Sequence, residues 1–371
     1  MVDVYKRFYP FEEDFRDPFS RDRDRIIHCG SFRRLEYKTQ VFLNHEGDYF
    51  RTRLTHSLEV SQIARTIANY LGLNVTLAEA IALSHDLGHT PFGHVGGDVL
   101  DDLLKKSGVK NGFEHNYQSF RVLTLLEKRY KNFDGLNLTY ATLEGVLKHS
   151  YPYDKPFIPD IVRDYFHMDY HPSLEAMVVD CADEIAYTSH DIDDGIKYQL
   201  IDFDTLLSSP LSKRVDYMVS KEGVSRSDGK LYRHRFVAAL IKILVEDLIN
   251  NSKQNSKELK NNKPLCSQIE ATEPVAVSFS TTIAKELKML KKLLRQKLYL
   301  HQKIVRKMHA GKECVRALYR AFNEDYTLMP QSMIEALEYR SQHRVVADYI
   351  ASMTDRYAMK SYHEVYGINL H

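Results

Sequence analysis

From Val60 to Leu71 the apolar residues fall at Val60, Ile63, Ala64, Ile67, Ala68 and Leu71. That is the i, i+3, i+4 spacing of one helix face, and Gly72 follows as a stop signal. The same period recurs along the chain. Residues 76–87 carry Leu77, Ala80, Ile81, Ala82 and Leu83, which reads as a buried helix ended by Gly88 and Pro91. Helices are also expected at 118–127, 142–149, 174–192 and 236–249. Residues 281–308 contain no Gly or Pro and place Ile283, Leu287, Leu290, Leu294 and Leu298 at helical spacing, predicting one long amphipathic helix. A last helix is expected at about 342–359. No series of alternating strands is present; the one local exception is a small hairpin near 42–51, where Glu46-Gly47-Asp48 offers a turn. The expected fold is an all-α bundle.

At 371 residues the chain can bury a large core as one big domain or two. The division expected is a catalytic core over 1–200 and a helical region over 201–371 packed on it rather than independent. The 51 Lys and Arg nearly cancel the 50 Asp and Glu, so the global field points to neither a nucleic-acid nor a membrane binder. The lysines of the polar 250–263 stretch are more simply a solvated linker than a nucleic-acid contact. Cys29, Cys181, Cys266 and Cys314 form no CxxC pair, which argues against a zinc knuckle or a disulfide framework and suits a reducing compartment. The first residues lack the apolar segment of a signal peptide, and no apolar run approaches the roughly 20 residues of a membrane span. The expected compartment is the cytoplasm.

Against this ordinary background His56, the pair His85-Asp86 and Asp183 stand out as two imidazoles and two carboxylates, a first shell for one divalent ion. Those donors suit Mn²⁺, Fe²⁺, Co²⁺, Ni²⁺ or Zn²⁺ and make Mg²⁺ or Ca²⁺ less natural. A lone histidine at a helix end is more often structural than a ligand. Density overturns that prior: His85, Asp86, His89 and His94 fall within ten residues, on a Gly/Pro-rich segment, and His115 follows soon after. Arginine matches phosphate oxygens with a planar fork, so Arg51 and Arg53, just before His56, are candidates to face a phosphorylated substrate, with Arg33 and Arg34 behind them.

Longer strings narrow the reading. They are Ser20-Arg-Asp-Arg-Asp-Arg25, Phe32-Arg-Arg-Leu-Glu-Tyr-Lys-Thr-Gln40, Arg51-Thr-Arg-Leu-Thr-His-Ser-Leu-Glu-Val60, His85-Asp-Leu-Gly-His-Thr-Pro-Phe-Gly-His94, Phe113-Glu-His-Asn-Tyr-Gln-Ser119, Asp183-Glu-Ile-Ala-Tyr187 and Asp348-Tyr-Ile-Ala-Ser-Met-Thr-Asp-Arg-Tyr357. With these the chain resembles the HD-domain phosphohydrolases, and within them the bacterial deoxyguanosinetriphosphate triphosphohydrolases and their like. The resemblance spans nearly the whole chain and is thinnest over 201–331. It implies an HD-domain helical bundle that hydrolyses a dNTP, dGTP first among them, to deoxynucleoside and inorganic triphosphate by water attack at the α-phosphorus.

The resemblance also distributes roles. His56, His85, Asp86 and Asp183 would bind one metal ion, with Mn²⁺ or Mg²⁺ expected for activity. Gln40 and Asp191 would contact the sugar 3′-hydroxyl, and Tyr187 would pack on the deoxyribose and exclude a 2′-hydroxyl by steric conflict. Arg53 would contact phosphate, with Lys148 and Lys155 as weaker candidates; Arg34 stays a substrate-binding candidate on its charge alone. His94 or His115 would hand a proton to the departing 5′-oxygen, and His89 would contact phosphate. In one respect the chain departs from the family: an acidic residue usual three positions after His94 is replaced by Gly97, and Asp98 is the nearest carboxylate. The resemblance further implies a homo-oligomer, in some members activated by a nucleotide effector. Two other functions fit the residues less well: an HD phosphatase acting on another nucleotide, and a nucleotide- or single-stranded-DNA-binding protein with weakened catalysis.

Overall fold

A computed structural model describes residues 3–40, 51–153, 158–255 and 269–367. Among these residues the architecture is helical throughout, and the only strand-like pairings are isolated bridges. The all-α expectation holds. The hairpin expected near 42–51 falls almost wholly outside the described residues, as does most of the 250–263 linker. The flanks of the former are joined by an antiparallel bridge between Thr39 and Thr52. The start of the linker is instead the end of the Lys230–Asn255 helix.

The Arg53–Leu71 helix begins at Thr52, whose hydroxyl accepts from the Thr55 amide at 3.2 Å while Thr55 Oγ1 accepts from the Thr52 amide at 3.0 Å. This reciprocal cap satisfies two of the donors a helix start leaves free. The helix stops at Gly72, which takes the left-handed conformation at φ 65°. Asn74 then caps the Val75–Ser84 helix, where every residue from Leu77 to Ser84 is buried except Glu79. A helix apolar on nearly all sides must be surrounded. It lies against the Pro18–Ile27, Arg53–Leu71, Tyr140–Leu147 and Leu174–Lys197 helices.

Two apolar clusters organise the molecule. The larger runs from Phe19 to Ile304 and contains the helices just named together with Pro210–Lys221, Lys230–Asn255 and Thr281–Leu294. The smaller joins Phe92, Val99, Leu100, Leu104 and Phe113 to residues between Cys314 and Ala358. The C-terminal region therefore contributes to both.

Two of the quoted strings prove architectural. In Ser20–Arg25, Asp22 accepts from the Thr139 amide at 2.9 Å and from the Thr142 hydroxyl at 2.8 Å, and Arg25 donates to the Leu136 and Asn137 carbonyls at 2.8 and 2.7 Å. In Asp348–Tyr357, Asp348 joins Gln118 at 3.0 Å and Arg121 at 2.5 Å, and Asp355 accepts the amides of Thr39 at 3.1 Å and Phe92 at 3.0 Å.

The expected long helix over 281–308 is corrected. It is two helices, Thr281–Leu294 and Gln302–Glu324, separated by a widened turn at Arg295–Tyr299 and a break at Leu300–His301. No Gly or Pro marks the break. The final helix is likewise two, Gln342–Ser352 and Asp355–Tyr366, because Thr354 leaves the helix to cap the second, accepting from the Tyr357 amide at 3.2 Å. No helix among the described residues is long and apolar enough to cross a membrane.

Candidate metal centre and active site

Most of the residues singled out from sequence, His56, Asp86 and Asp183 among them, line one cavity of about 520 Å³, and His85 stands beside Asp86 and Asp183. His56 stands one turn into the Arg53–Leu71 helix. His85 caps the C-terminal end of Val75–Ser84, and the turn after it presents Asp86 and His89. Asp183 comes from the Leu174–Lys197 helix, facing the other two elements. The His56 Nε2 to Asp183 Oδ1 distance is 2.9 Å, His85 Nε2 lies 3.4 Å from Asp86 Oδ1 and 3.8 Å from Asp183 Oδ1, and His56 Nε2 is 4.0 Å from Asp86 Oδ2.

One atom decides whether this cluster fits a cation. His85 Nδ1 lies 2.7 Å from the Ala82 carbonyl. A carbonyl only accepts, so Nδ1 carries the proton and Nε2 offers a lone pair. That Nε2 is buried and has no hydrogen-bond partner. A buried acceptor left without a donor is costly, and a divalent ion among His56, Asp86 and Asp183 would satisfy it. The donor set fits.

The electrostatics agree. Burial would raise both carboxyls, but the charge of Arg53 and the hydrogen bond from His89 oppose it at Asp86, and hydrogen bonds from His149 and His56 outweigh it at Asp183. Both stay well below the usual carboxylate range, ionised as ligands must be. Burial pushes His89 far below the ordinary histidine value, helped by the positive charge of Arg53, so it is neutral.

Arg53 is almost wholly buried and donates from Nη1 to Asp86 at 2.8 Å, while its Nε and Nη2 find no partner. Gln40 lines the same cavity with a buried, unpartnered Oε1. Asp183, Tyr187 and Asp191 line it from one helix face, four residues apart. His89, His94 and His115 form its far wall: the His89 and His115 rings stack with centroids 4.2 Å apart, and His94 lies 4.9 Å from His89. His94 stands exposed at the mouth.

Gly88 makes this wall possible. A Cβ there would lie 2.2 Å from the His115 carbonyl oxygen and the Ser119 nitrogen, so only glycine lets the turn sit against the His115–Arg121 helix. Ser119 Oγ then accepts from the Gly88 amide at 2.8 Å and donates to the His85 carbonyl at 2.7 Å. Gly97, Asp98 and the three histidines share a smaller pocket of about 230 Å³ at the mouth.

Not every candidate is brought here. Arg34 is exposed and lines a separate cavity of about 550 Å³ behind the Leu87-Gly88 turn. Lys148 is buried, its ammonium taken by Glu144 at 2.8 Å and by the His167 and Tyr170 carbonyls at 3.0 Å. Neither lines the cavity that holds His56, Asp86 and Asp183. Lys155 lies outside the described residues. Arg51 turns away from the cavity to pair with Asp193 at 2.9 Å and Asp194 at 3.1 Å.

The cavity also holds residues that sequence reasoning passed over. His149 lies with Nε2 3.5 Å from Asp183 Oδ2 and Nδ1 2.5 Å from Asp180. Burial opposes its charge, but Asp180 and Asp183 push its imidazole well above the ordinary value. Tyr299, from the widened turn, donates its hydroxyl to Asp191, and Ile304 and Met308 supply an apolar wall. His149 closes the helix expected at 142–149, and a histidine at a helix end, like His85, is its signal in the sequence. Tyr299 had none, since it depends on a break that no residue type announces.

Residues 53–188 match the HD domain, and residues 277–364 match the phosphohydrolase-associated domain. A deoxyguanosinetriphosphate triphosphohydrolase-like protein of Wolinella succinogenes is 59% identical over 98% of this chain and 99% of its own length. Like-named proteins of Geobacter metallireducens and Nitrosomonas europaea are 45% and 44% identical, over 96% and 95% of this chain and 91% and 92% of theirs. The chain belongs to the deoxyguanosinetriphosphate triphosphohydrolase-like family of HD-domain phosphohydrolases. The two matched segments meet at the cavity: the first carries the four metal-type ligands, the second Tyr299, Ile304 and Met308.

Proposed function

We propose that this phosphohydrolase is a metal-dependent dNTP triphosphohydrolase acting in the cytoplasm, with dGTP the first candidate substrate, releasing deoxynucleoside and inorganic triphosphate. The observation that carries the reading is an orphaned His85 Nε2 beside Asp86 and Asp183, which with His56 line one cavity, together with unsatisfied donors on Arg53 and an unsatisfied acceptor on Gln40, which line the same cavity. Those are the groups a polyphosphate and a sugar hydroxyl would complete.

His56, His85, Asp86 and Asp183 would hold one divalent ion, Mn²⁺ or Mg²⁺ for activity with Fe²⁺, Co²⁺, Ni²⁺ and Zn²⁺ also suited to the donors. When bound, such an ion supplies Lewis-acid polarisation of a phosphoryl oxygen and a more acidic water. Arg53 presents two free donors of its fork to the phosphates while Asp86 fixes its third. Gln40 and Asp191 receive the 3′-hydroxyl. The Tyr187 ring packs against the sugar where a ribose 2′-hydroxyl would sit. Neutral His89 contacts phosphate, and His94 or His115 delivers a proton to the leaving 5′-oxygen. Without a Gly97 carboxylate, Asp98 is the acid nearest to His94 in sequence. The same proposal includes a homo-oligomer and a nucleotide effector, tested by sedimentation with and without dNTP.

A panel of the four dNTPs and GTP with Mn²⁺, Mg²⁺ and Co²⁺ tests the reading, with products separated as triphosphate or orthophosphate. Triphosphate from dNTPs and none from GTP is expected. Orthophosphate as the sole product would replace the reading with a phosphatase, and tight nucleotide or single-stranded DNA binding without turnover would replace it with a binding protein.

A further inference from the structure

Behind His56, on the side away from the cavity, His190 lies buried with its Nδ1 3.4 Å from His56 Nδ1. Its Nε2 pairs with the Glu59 carboxylate, and Glu59 in turn meets Arg51 at 3.4 Å. We propose that Glu59 and His190 are positioning residues for the metal, a carboxylate–histidine–histidine chain that fixes which nitrogen of His56 faces the ion; this rests on the metal-centre reading above.

The protons in the chain have one consistent arrangement. An imidazole nitrogen binds a cation only if it carries no hydrogen. His56 Nε2 is the atom beside Asp183 and Asp86, so in the metal-loaded protein its hydrogen sits on Nδ1. That buried N–H points at His190 Nδ1, which must accept it. The hydrogen of His190 is then on Nε2, where the ionised Glu59 carboxylate accepts it and donates nothing. Arg51, held by Asp193 and Asp194 as well, anchors the outer end.

The other imidazole ligand makes the contrast plain. His85 is oriented by a main-chain carbonyl, that of Ala82, which no side-chain substitution removes. His56 has only side chains to do the same work. Outer partners of metal-bound histidines typically matter by about 10–100-fold in metal affinity, and here that leverage falls on one ligand.

The test is metal affinity rather than turnover, measured on full-length protein with Mn²⁺ and Co²⁺ alone. His190→Leu removes the acceptor, whereas His190→Asn places an amide oxygen near the position of the lost Nδ1. Expected are about 10–100-fold weaker Mn²⁺ binding in His190→Leu, recovery of most of that loss in His190→Asn, and a changed Co²⁺ visible spectrum in the leucine variant only. Glu59 is half exposed, so Glu59→Leu against Glu59→Gln gives the same comparison if His190→Leu does not fold; melting of the metal-free variants decides that. Wild-type protein that binds neither ion would overturn the metal-centre reading itself. Wild-type protein that binds, with both leucine variants binding equally well, or with His190→Asn as weak as His190→Leu, would overturn the positioning chain alone.

Discussion

Asp183 is the residue on which the centre closes, because it approaches His56 at 2.9 Å and His85 at 3.8 Å from a different helix. Asp183→Ala is expected to abolish Mn²⁺ binding and turnover together; retention of full activity would end the assignment. Asp191 behaves differently. Burial, reinforced by Asp194, raises its carboxyl to about 7, although the Tyr299 hydroxyl pulls the other way. The unfolded carboxyl ionises near the ordinary 3.8, so between those values the folded chain keeps a proton that the unfolded chain releases. Stability from this group is therefore complete below about pH 4 and is lost as pH rises through 7. Asp194, raised to about 6 chiefly by burial, acts in the same direction. In metal-free protein Asp191→Asn should flatten the fall of melting temperature between pH 4 and 7, and parallel curves for variant and wild type would refute the linkage. These residue identities were readable in advance. Their partners were not: nothing near Asp191 in the chain indicates that Tyr299 reaches it.

At the scale of elements, the turn from His85 to His94 is held between helices that approach more closely than side chains allow. The 2.2 Å separation between a Cβ at Gly88 and the main chain of His115 and Ser119 leaves no rotamer to relieve the clash, since both neighbours are backbone. Gly88→Ala should destabilise by about 1–3 kcal/mol and move His115 away from His89. Gly97→Ala is the control, because its Cβ would meet Phe113 at an ordinary 3.7 Å. Equal melting temperatures for the two variants would show that the contact is not restrictive. Helix existence was legible from apolar spacing, and the Arg53–Leu71 and Val75–Ser84 helices fall where the period puts them. Helix breaks were less so. At Leu300–His301 the interruption is set by where Tyr299 and the flanking leucines pack, and at Met353-Thr354 by a cap that frees Asp355 for the Thr39 and Phe92 amides.

At the scale of the whole molecule, ligands from separate helices make metal binding a link between elements, so the ion should stabilise the fold. A ligand present at 100 times its dissociation constant stabilises by about 2.7 kcal/mol. Mn²⁺ is expected to raise the melting temperature of wild-type protein by a few degrees, reversed by chelator and absent in Asp183→Ala; an unchanged melting temperature in wild type would count against a preformed centre. The sequence by itself determined the helical class, the candidate metal-type ligands His56, His85, Asp86 and Asp183, and the placing of Asp183, Tyr187 and Asp191 on one helix face, because helical period and short-range spacing are written in consecutive residues. Only the tertiary structure decided that Arg34 and Lys148 face elsewhere, that His149 and Tyr299 enter the cavity, and that Glu59 and His190 stand behind His56. Most of those relations, such as Tyr299 with Asp191 and His190 with His56, join residues more than a hundred positions apart, and their distances follow from how helices pack, which no local pattern encodes.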